Sequence, residues 1–128
     1  MVVHDELTYR TLGACIEVHR QLGPGLLEAA YEECLACELS ERDLRFERKP
    51  LLGLVYKGRR VERAYQPDFV IESSLIVELK SVRRLLSVHR AQLRTYLKLS
   101  GADVGLLVNF DVPALVEQGI CRVTLASK

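Results

Sequence analysis

Gln66-Pro67-Asp68-Phe69-Val70-Ile71, a break at Glu72-Ser73-Ser74, and Leu75-Ile76-Val77-Glu78-Leu79-Lys80 form the stretch that decides the fold. Two apolar runs rich in β-branched residues, parted by three polar ones, predict an antiparallel hairpin. Asp68, Glu78 and Lys80 lie inside these runs or at their mouth, where charge is costly unless it is paired or bound to a metal. Glu78 and Lys80 stand two apart and so share a strand face. A turn of residues 72–74 sets Ile71 against Leu75 and Asp68 against Glu78. A two-residue turn would slip the register and send Asp68 to the opposite face. We take the three-residue turn, although it offers no Gly for a left-handed position. Two carboxylates and an ammonium then converge on one patch. Oxygen ligands of this kind suit Mg²⁺ or Mn²⁺, with waters completing the octahedron.

Working outward, Leu7 to about Leu22 predicts a first helix, with Leu12, Cys15, Ile16 and His19 spaced along one face. His19, near its end, reads as a cap or core donor before it reads as a catalyst. Gly23-Pro24-Gly25 ends that helix. A second helix spans about Leu26 to Leu44, with Glu28 and Tyr31 on one face of its first turns. Physics alone makes Glu28 a first-turn acid complementing the helix dipole, and Glu32 and Glu33 solvent-facing. Arg45 to Val61 predicts β structure with a hairpin turn at Lys57-Gly58-Arg59, and Pro50 marks a bulge or an edge. Val61 to Ala64 continues toward the Asp68 strand. After Lys80, a helix of about Val88 to Leu99 carries His89, Gln92 and Tyr96 on one face and Leu86, Leu93 and Leu97 on another. Asp103 to Phe110 is a buried strand, parallel to the Lys80 strand because a helix intervenes. Asp111 to Gln118 is a loop with a short helical turn, and Ile120 to Leu125 a last edge strand.

At 128 residues the chain forms one domain over 1–128, with 48% apolar and 27% charged residues, an ordinary globular balance. No apolar run approaches the ~20 residues that span a membrane. Met1 to Glu6 lacks the basic start and apolar core of a leader, so a cytoplasmic location is expected. Net charge is +1, which announces no nucleic-acid partner. Its distribution says more. Arg42 to Arg63 holds eight basic residues against three acidic ones, and Arg83 to Lys98 holds five with no acid. These runs flank the carboxylates as a phosphate-tracking groove would, or they are solvated faces. Cys34 and Cys37 form a CxxC inside a helical stretch. They read, with Cys15 and Cys121, as buried small residues rather than a metal site.

Three motifs carry a family resemblance. Pro67-Asp68 followed by Glu78-Leu79-Lys80 resembles the PD-(D/E)xK signature of the restriction-endonuclease-like nucleases. Gly25-Leu26-Leu27-Glu28-Ala29-Ala30-Tyr31 is similar to the GxxExxY pattern that names a small bacterial family within that superfamily. Gln92-Leu93-Arg94-Thr95-Tyr96 resembles the QxxxY motif of RecB-like nucleases. The iron–sulfur cluster of some RecB-like enzymes requires a C-terminal cysteine grouping that this chain lacks. The likeness runs from about Leu7 to Phe110. It implies an α/β fold with an αβββαβ core, its mixed central sheet flanked by helices. It implies a Mg²⁺- or Mn²⁺-dependent nuclease that hydrolyses phosphodiester bonds of nucleic acid, with DNA taken ahead of RNA although neither the sequence nor the resemblance separates the two. Asp68, Glu78, the Leu79 backbone carbonyl and a helix-borne Glu28 would hold the metal. Lys80 and Gln92 would be catalytic, and Tyr31, His89, Tyr96, Arg83 and Arg84 would support the site or contact nucleic acid. With no separate recognition domain, the chain would act as a homo-oligomer or with a partner protein. A non-cleaving nucleic-acid- or protein-binding module of the same fold is the alternative.

Overall fold

The computed structural model describes residues 2–125, with side chains from Glu6 onward; the N-terminal reading at Met1 to Asp5 falls on side chains outside that range. Helix α1 (Val2–Leu22) and helix α2 (Glu28–Glu41) are followed by strand β1 (Phe46–Arg48), the hairpin strands β2 (Leu52–Tyr56) and β3 (Arg59–Tyr65), then β4 (Phe69–Ile71) and β5 (Leu75–Lys80). Helix α3 (Ser87–Ser100), strand β6 (Val104–Asn109), a short α4 (Leu115–Gln118) and strand β7 (Ile120–Thr124) complete the chain. Five strands form one mixed sheet in the order β1-β4-β5-β6-β7, and β2 and β3 pair only with each other.

The deciding hairpin has the expected register. Ile71 pairs with Leu75, Val70 with Ile76 and Phe69 with Val77. In the absence of glycine, Glu72 and Ser73 themselves take positive φ, at 51° and 57°. The Ser74 amide closes the turn on the Ile71 carbonyl at 3.0 Å. Strand β6 runs parallel to β5, with Lys80 beside Asn109, after the right-length crossover through α3.

The sheet is covered on both faces, which explains the continuous apolar runs in β5 and β6. On one face Phe69, Ile71, Val77, Leu79 and Val108 pack against α1 and α2 through Ala14, Cys15, Tyr31, Leu35 and Leu39. On the other, Ile76, Leu107 and Val123 meet Leu93 and Leu97 of α3. Gly105 makes this second contact possible, because a Cβ there would lie 2.8 Å from Leu93 Cδ1.

Several local expectations are corrected. The buried face of α1 is Leu7, Thr8, Thr11, Ala14, Cys15 and Val18, while Ile16 is 39% exposed. Two threonines hide this stripe from an apolar count, and their buried hydroxyls have no hydrogen-bond partner among the described residues. Helix α2 stops at Glu41 because Asp43 adopts φ 59° and the Leu44 amide returns to the Leu39 carbonyl. Leu86 is the exposed N-cap of α3 rather than part of its buried face. The stretch 45–64 divides at Pro50 into sheet strand β1 and the separate hairpin, whose turn is Lys57-Gly58 with Tyr56 paired to Arg59. Of the cysteines only Cys15 is fully buried, with its thiol pushed up to about 12 by burial; Cys37 is exposed, and Cys34 and Cys121 are intermediate.

Candidate active site

Asp68 ends the segment entering β4, and Glu78 lies on β5 two residues beyond Ile76, on the face covered by α3. Both are nearly buried, at 8% and 5% exposure. The Asp68 amide donates to Glu78 Oε2 at 2.8 Å, and the Leu79 amide donates to Asp68 Oδ2 at 2.8 Å. Each carboxylate is therefore oriented by a backbone N–H from the neighbouring strand. The electrostatic consequence is large. Burial, and then the adjacent Asp68 charge, push the Glu78 carboxyl up to about 8, against partial relief from the Asp68 N–H bond and then from Lys80 and Lys49. Lys80 is half-buried on the same strand face.

One member of this patch was hidden in the basic run. Lys49 follows β1 with φ 51°, and its amide donates to the Asp68 carbonyl at 2.8 Å. Its ammonium lies 3.1 Å from Asp68 Oδ1 and 3.7 Å from Glu32 Oε1. Burial lowers its affinity for a proton, but the Asp68 hydrogen bond and the carboxylates around it outweigh that and leave the net shift upward. The pairing of β1 with β4 places it there, through Arg48 opposite Phe69. Recognising that pairing from the sequence would have exposed the contact.

Glu32 is also placed differently from the solvent-facing expectation. Its side chain is 12% exposed and bonds Arg48 Nε at 2.7 Å, whereas Glu33 is 68% exposed and meets Arg48 Nη2 at 2.6 Å. The helix-borne carboxylate joined to Asp68 is Glu32, through Lys49. Glu28 opens α2 as an exposed first-turn acid.

The remaining candidates divide by position. Tyr31 is fully buried and stacks on Phe110 with ring centroids 4.5 Å apart. Its hydroxyl donates to the Gly23 carbonyl at 2.6 Å and accepts from the Leu26 amide at 3.2 Å, which fixes the Gly23–Leu27 loop. Ser81, next to Lys80, donates to the Leu26 carbonyl at 2.6 Å and ties that loop to the end of β5. His89 Nδ1 accepts the Leu86 amide at 3.0 Å and so caps α3. Tyr96 faces the patch: burial, Glu78 and Asp68 all raise its hydroxyl, and its ring lies 5.2 Å from that of Tyr65. Gln92, Arg83 and Arg84 are exposed. His19 Nε2 bonds the Val112 carbonyl at 2.8 Å, a core role. Buried Asn109 escaped the sequence reading, although it is the polar end of an otherwise apolar strand. Its amide group brackets Val82, accepting from the Val82 N–H at 3.0 Å and donating to the Val82 carbonyl at 2.9 Å.

A family model for the PD-(D/E)XK nuclease superfamily matches residues 5–123. The chain belongs to the PD-(D/E)XK nuclease superfamily. The five-stranded mixed sheet flanked by helices agrees with its restriction-endonuclease-like fold. The comparison with curated proteins found no match. The comparison with solved structures found none either.

Nucleases of this superfamily generally use divalent metal ions, and the donor set here fits one. Asp68 and Glu78 are hard oxygen ligands held side by side. The second negative charge of the pair is costly enough to raise Glu78 far above the carboxylate range, a cost that a cation would offset. The described residues contain no group of three or more His, Cys, Asp or Glu side chains placed to hold an ion. The rest of a coordination shell would come from backbone carbonyl, water or substrate oxygens. No described helix is long and apolar enough to cross a membrane. A mostly apolar groove of about 590 Å³ lined by Tyr9, Leu12, Ile16, Val116 and Ile120 shares no lining residue with the carboxylate patch.

Proposed function

We propose that the protein is a divalent-metal-dependent nuclease that hydrolyses phosphodiester bonds, in DNA in preference to RNA. The observation that carries this reading is the buried Asp68–Glu78 pair, each carboxylate oriented by a strand amide, with Lys80 on the same face of β5. Asp68 and Glu78 would hold Mg²⁺ or Mn²⁺, with the Leu79 carbonyl as a further oxygen and a helix-borne acid, Glu28 or the better connected Glu32, completing the acidic set. A bound metal supplies Lewis acidity at phosphorus and lowers the pKa of the attacking water. Lys80, on the same strand face as the carboxylates, would stabilise negative charge developing on the phosphate. Gln92 offers a donor and an acceptor to water or phosphate from the first half of α3. Tyr96, whose hydroxyl is raised by burial and by the Glu78 and Asp68 charges, would support the site. Arg83 and Arg84, exposed beyond Lys80, supply phosphate contacts.

A second reading draws on Lys49. Its ammonium already balances Asp68, as it would in a nuclease fold kept for binding rather than cutting. Calorimetric titration with Mn²⁺ separates the two. Saturable binding by the wild type that is lost in Asp68→Ala, together with Mn²⁺-dependent cleavage of DNA, supports the enzyme. Nucleic-acid binding of equal strength with and without chelator, and no cleavage, supports the binding module. Action as a homo-oligomer or with a partner protein is part of the same proposal.

A further inference from the structure

The structure resolves the basic run 42–63 into two sets. Arg42, Arg45 and Arg48 are consumed by ion pairs with Glu38, Glu72 and Glu32, and Lys49 by Asp68. The rest stand on the β2–β3 hairpin: Lys57, Arg59, Arg60 and Arg63 against one acid, Glu62, which Arg60 neutralises at 3.0 Å. This hairpin pairs with no other strand, and every residue from 55 to 64 is exposed. It also presents apolar side chains to water, with Val55, Tyr56 and Val61 at 64%, 59% and 41% exposure.

Both stems of the hairpin are fixed at the carboxylate patch. The incoming stem leaves from Lys49, whose ammonium meets Asp68. The outgoing stem enters Asp68 itself through Tyr65-Gln66-Pro67, with the Tyr65 ring against Tyr96 and Gln66 Nε2 donating to the Lys49 carbonyl at 3.0 Å. A kink lies above this anchor. Arg63 takes φ 55°, the register shifts between Leu52 and Leu54, and Gly53 allows a close approach, since a Cβ there would lie 2.9 Å from the Val61 carbonyl. Arg60 and Lys98 of α3 line one groove beside it.

We propose that the β2–β3 hairpin is a duplex-DNA arm, a basic two-stranded ribbon that enters the major groove of B-form DNA and sets a strand against the Asp68–Glu78 patch. The inference rests on the nuclease reading above and adds the substrate class to it. A two-stranded β-ribbon fits the major groove of B-DNA, whereas the A-form groove of duplex RNA is too deep and narrow for side chains to read. Basic side chains meet the phosphates at the groove walls, and exposed apolar ones match thymine methyl groups.

Fluorescence anisotropy in chelator tests this with a 20-bp DNA duplex, the same sequence as duplex RNA, and one DNA strand alone. The 128-residue chain is compared with the triple variant Lys57→Ala/Arg59→Ala/Arg63→Ala. None of these three side chains is buried, and circular dichroism and thermal melting verify that the variant folds. The wild type is expected to prefer duplex DNA over duplex RNA by about tenfold or more. The variant is expected to lose that preference, with the slope of log K against log salt falling by about one for each phosphate contact removed. Equal duplex-DNA affinity in the two proteins overturns the arm. So does an equal loss on all three ligands, and so does a changed oligomeric state with unchanged DNA binding, which marks the ribbon as a protein interface. Mn²⁺-dependent cleavage is scored separately on all three ligands. Its absence in the wild type counts against the nuclease reading, while the binding comparison still decides the arm.

Discussion

The Asp68 amide bonds the Glu78 carboxylate, and the Asp68 carboxylate reaches back to the amide that follows Glu78, each at 2.8 Å. The two acids are thus locked by the hairpin's own backbone as well as set opposite each other by its register. Such reciprocal bonding separates charge from geometry. Asp68→Asn keeps an acceptor for the Leu79 N–H and removes the charge. Asp68→Ala also leaves that buried N–H unpaired, a loss of about 1–3 kcal/mol in stability. Urea unfolding should place the Asn variant close to wild type and the Ala variant below it. Calorimetry should find Mn²⁺ binding absent from both. Wild-type Mn²⁺ affinity in Asp68→Asn would remove Asp68 from the metal site.

The Glu78 carboxyl, raised from 4.5 to about 8 by burial and by Asp68, links stability to pH in the metal-free protein. Between those values the folded state holds a proton that the unfolded state has released. The stabilising contribution is therefore complete below pH 4.5 and is lost as pH rises through 8. The slope attributable to this one group reaches at most ~1.4 kcal/mol per pH unit. Unfolding curves in chelator across pH 5–9 should show the wild type losing stability relative to Glu78→Gln. Parallel pH profiles for the two proteins would mean that Glu78 titrates normally. Added Mn²⁺ should flatten the difference, because a bound cation favours the ionised carboxylate.

The hairpin at 66–80 was legible because a period-2 pattern, a turn and the pleat together determine which residues share a face. The parallel β5–β6 pairing followed from the helix between them. What escaped depends on contacts between distant segments. Lys49 looked like one more member of a basic run, since nothing local announces that β1 pairs with β4. Glu32 looked solvent-facing because a helical wheel shows its direction but not the Arg48 and Lys49 that cover it. The buried stripe of α1 was blurred by Thr8 and Thr11, which are polar by type yet buried. The apolar content and turn of 52–65 predict strand, but the hairpin's detachment from the main sheet is a topological fact that strand periodicity does not carry.

Lys49 supplies a counter-charge to Asp68 that competes with a divalent cation. Its side chain is 46% exposed, so solvent screens the pair and its worth is limited to about 0.2–1 kcal/mol. Lys49→Ala should therefore tighten Mn²⁺ binding by roughly 1.4-fold to fivefold, the upper part of which is within the reach of calorimetry. Lys49→Arg, which keeps the charge, should stay near wild type. Weaker Mn²⁺ binding in Lys49→Ala would show instead that Lys49 orders the Asp68 carboxylate for the metal rather than competing with it.

Tyr31 acts at one remove from the carboxylates. Its hydroxyl holds both Gly23 and Leu26, and Leu26 in turn holds Ser81 next to Lys80. Tyr31→Phe keeps the ring stacked on Phe110 but leaves the Gly23 carbonyl and the Leu26 amide without that partner. Two net hydrogen bonds correspond to about 1–3 kcal/mol of stability. Denaturant midpoints should fall by that loss divided by the m-value, and the m-value should not change, since the compactness of neither state is altered. Amide exchange should quicken at Leu26, where the hydroxyl bond is lost. Mn²⁺ affinity should hold, because Asp68 and Glu78 are oriented by strand amides that this loop does not touch. If Mn²⁺ binding collapses while the fold remains, then the Gly23–Leu27 loop reaches the metal site, and Glu28 at its end becomes the acid that carries it there.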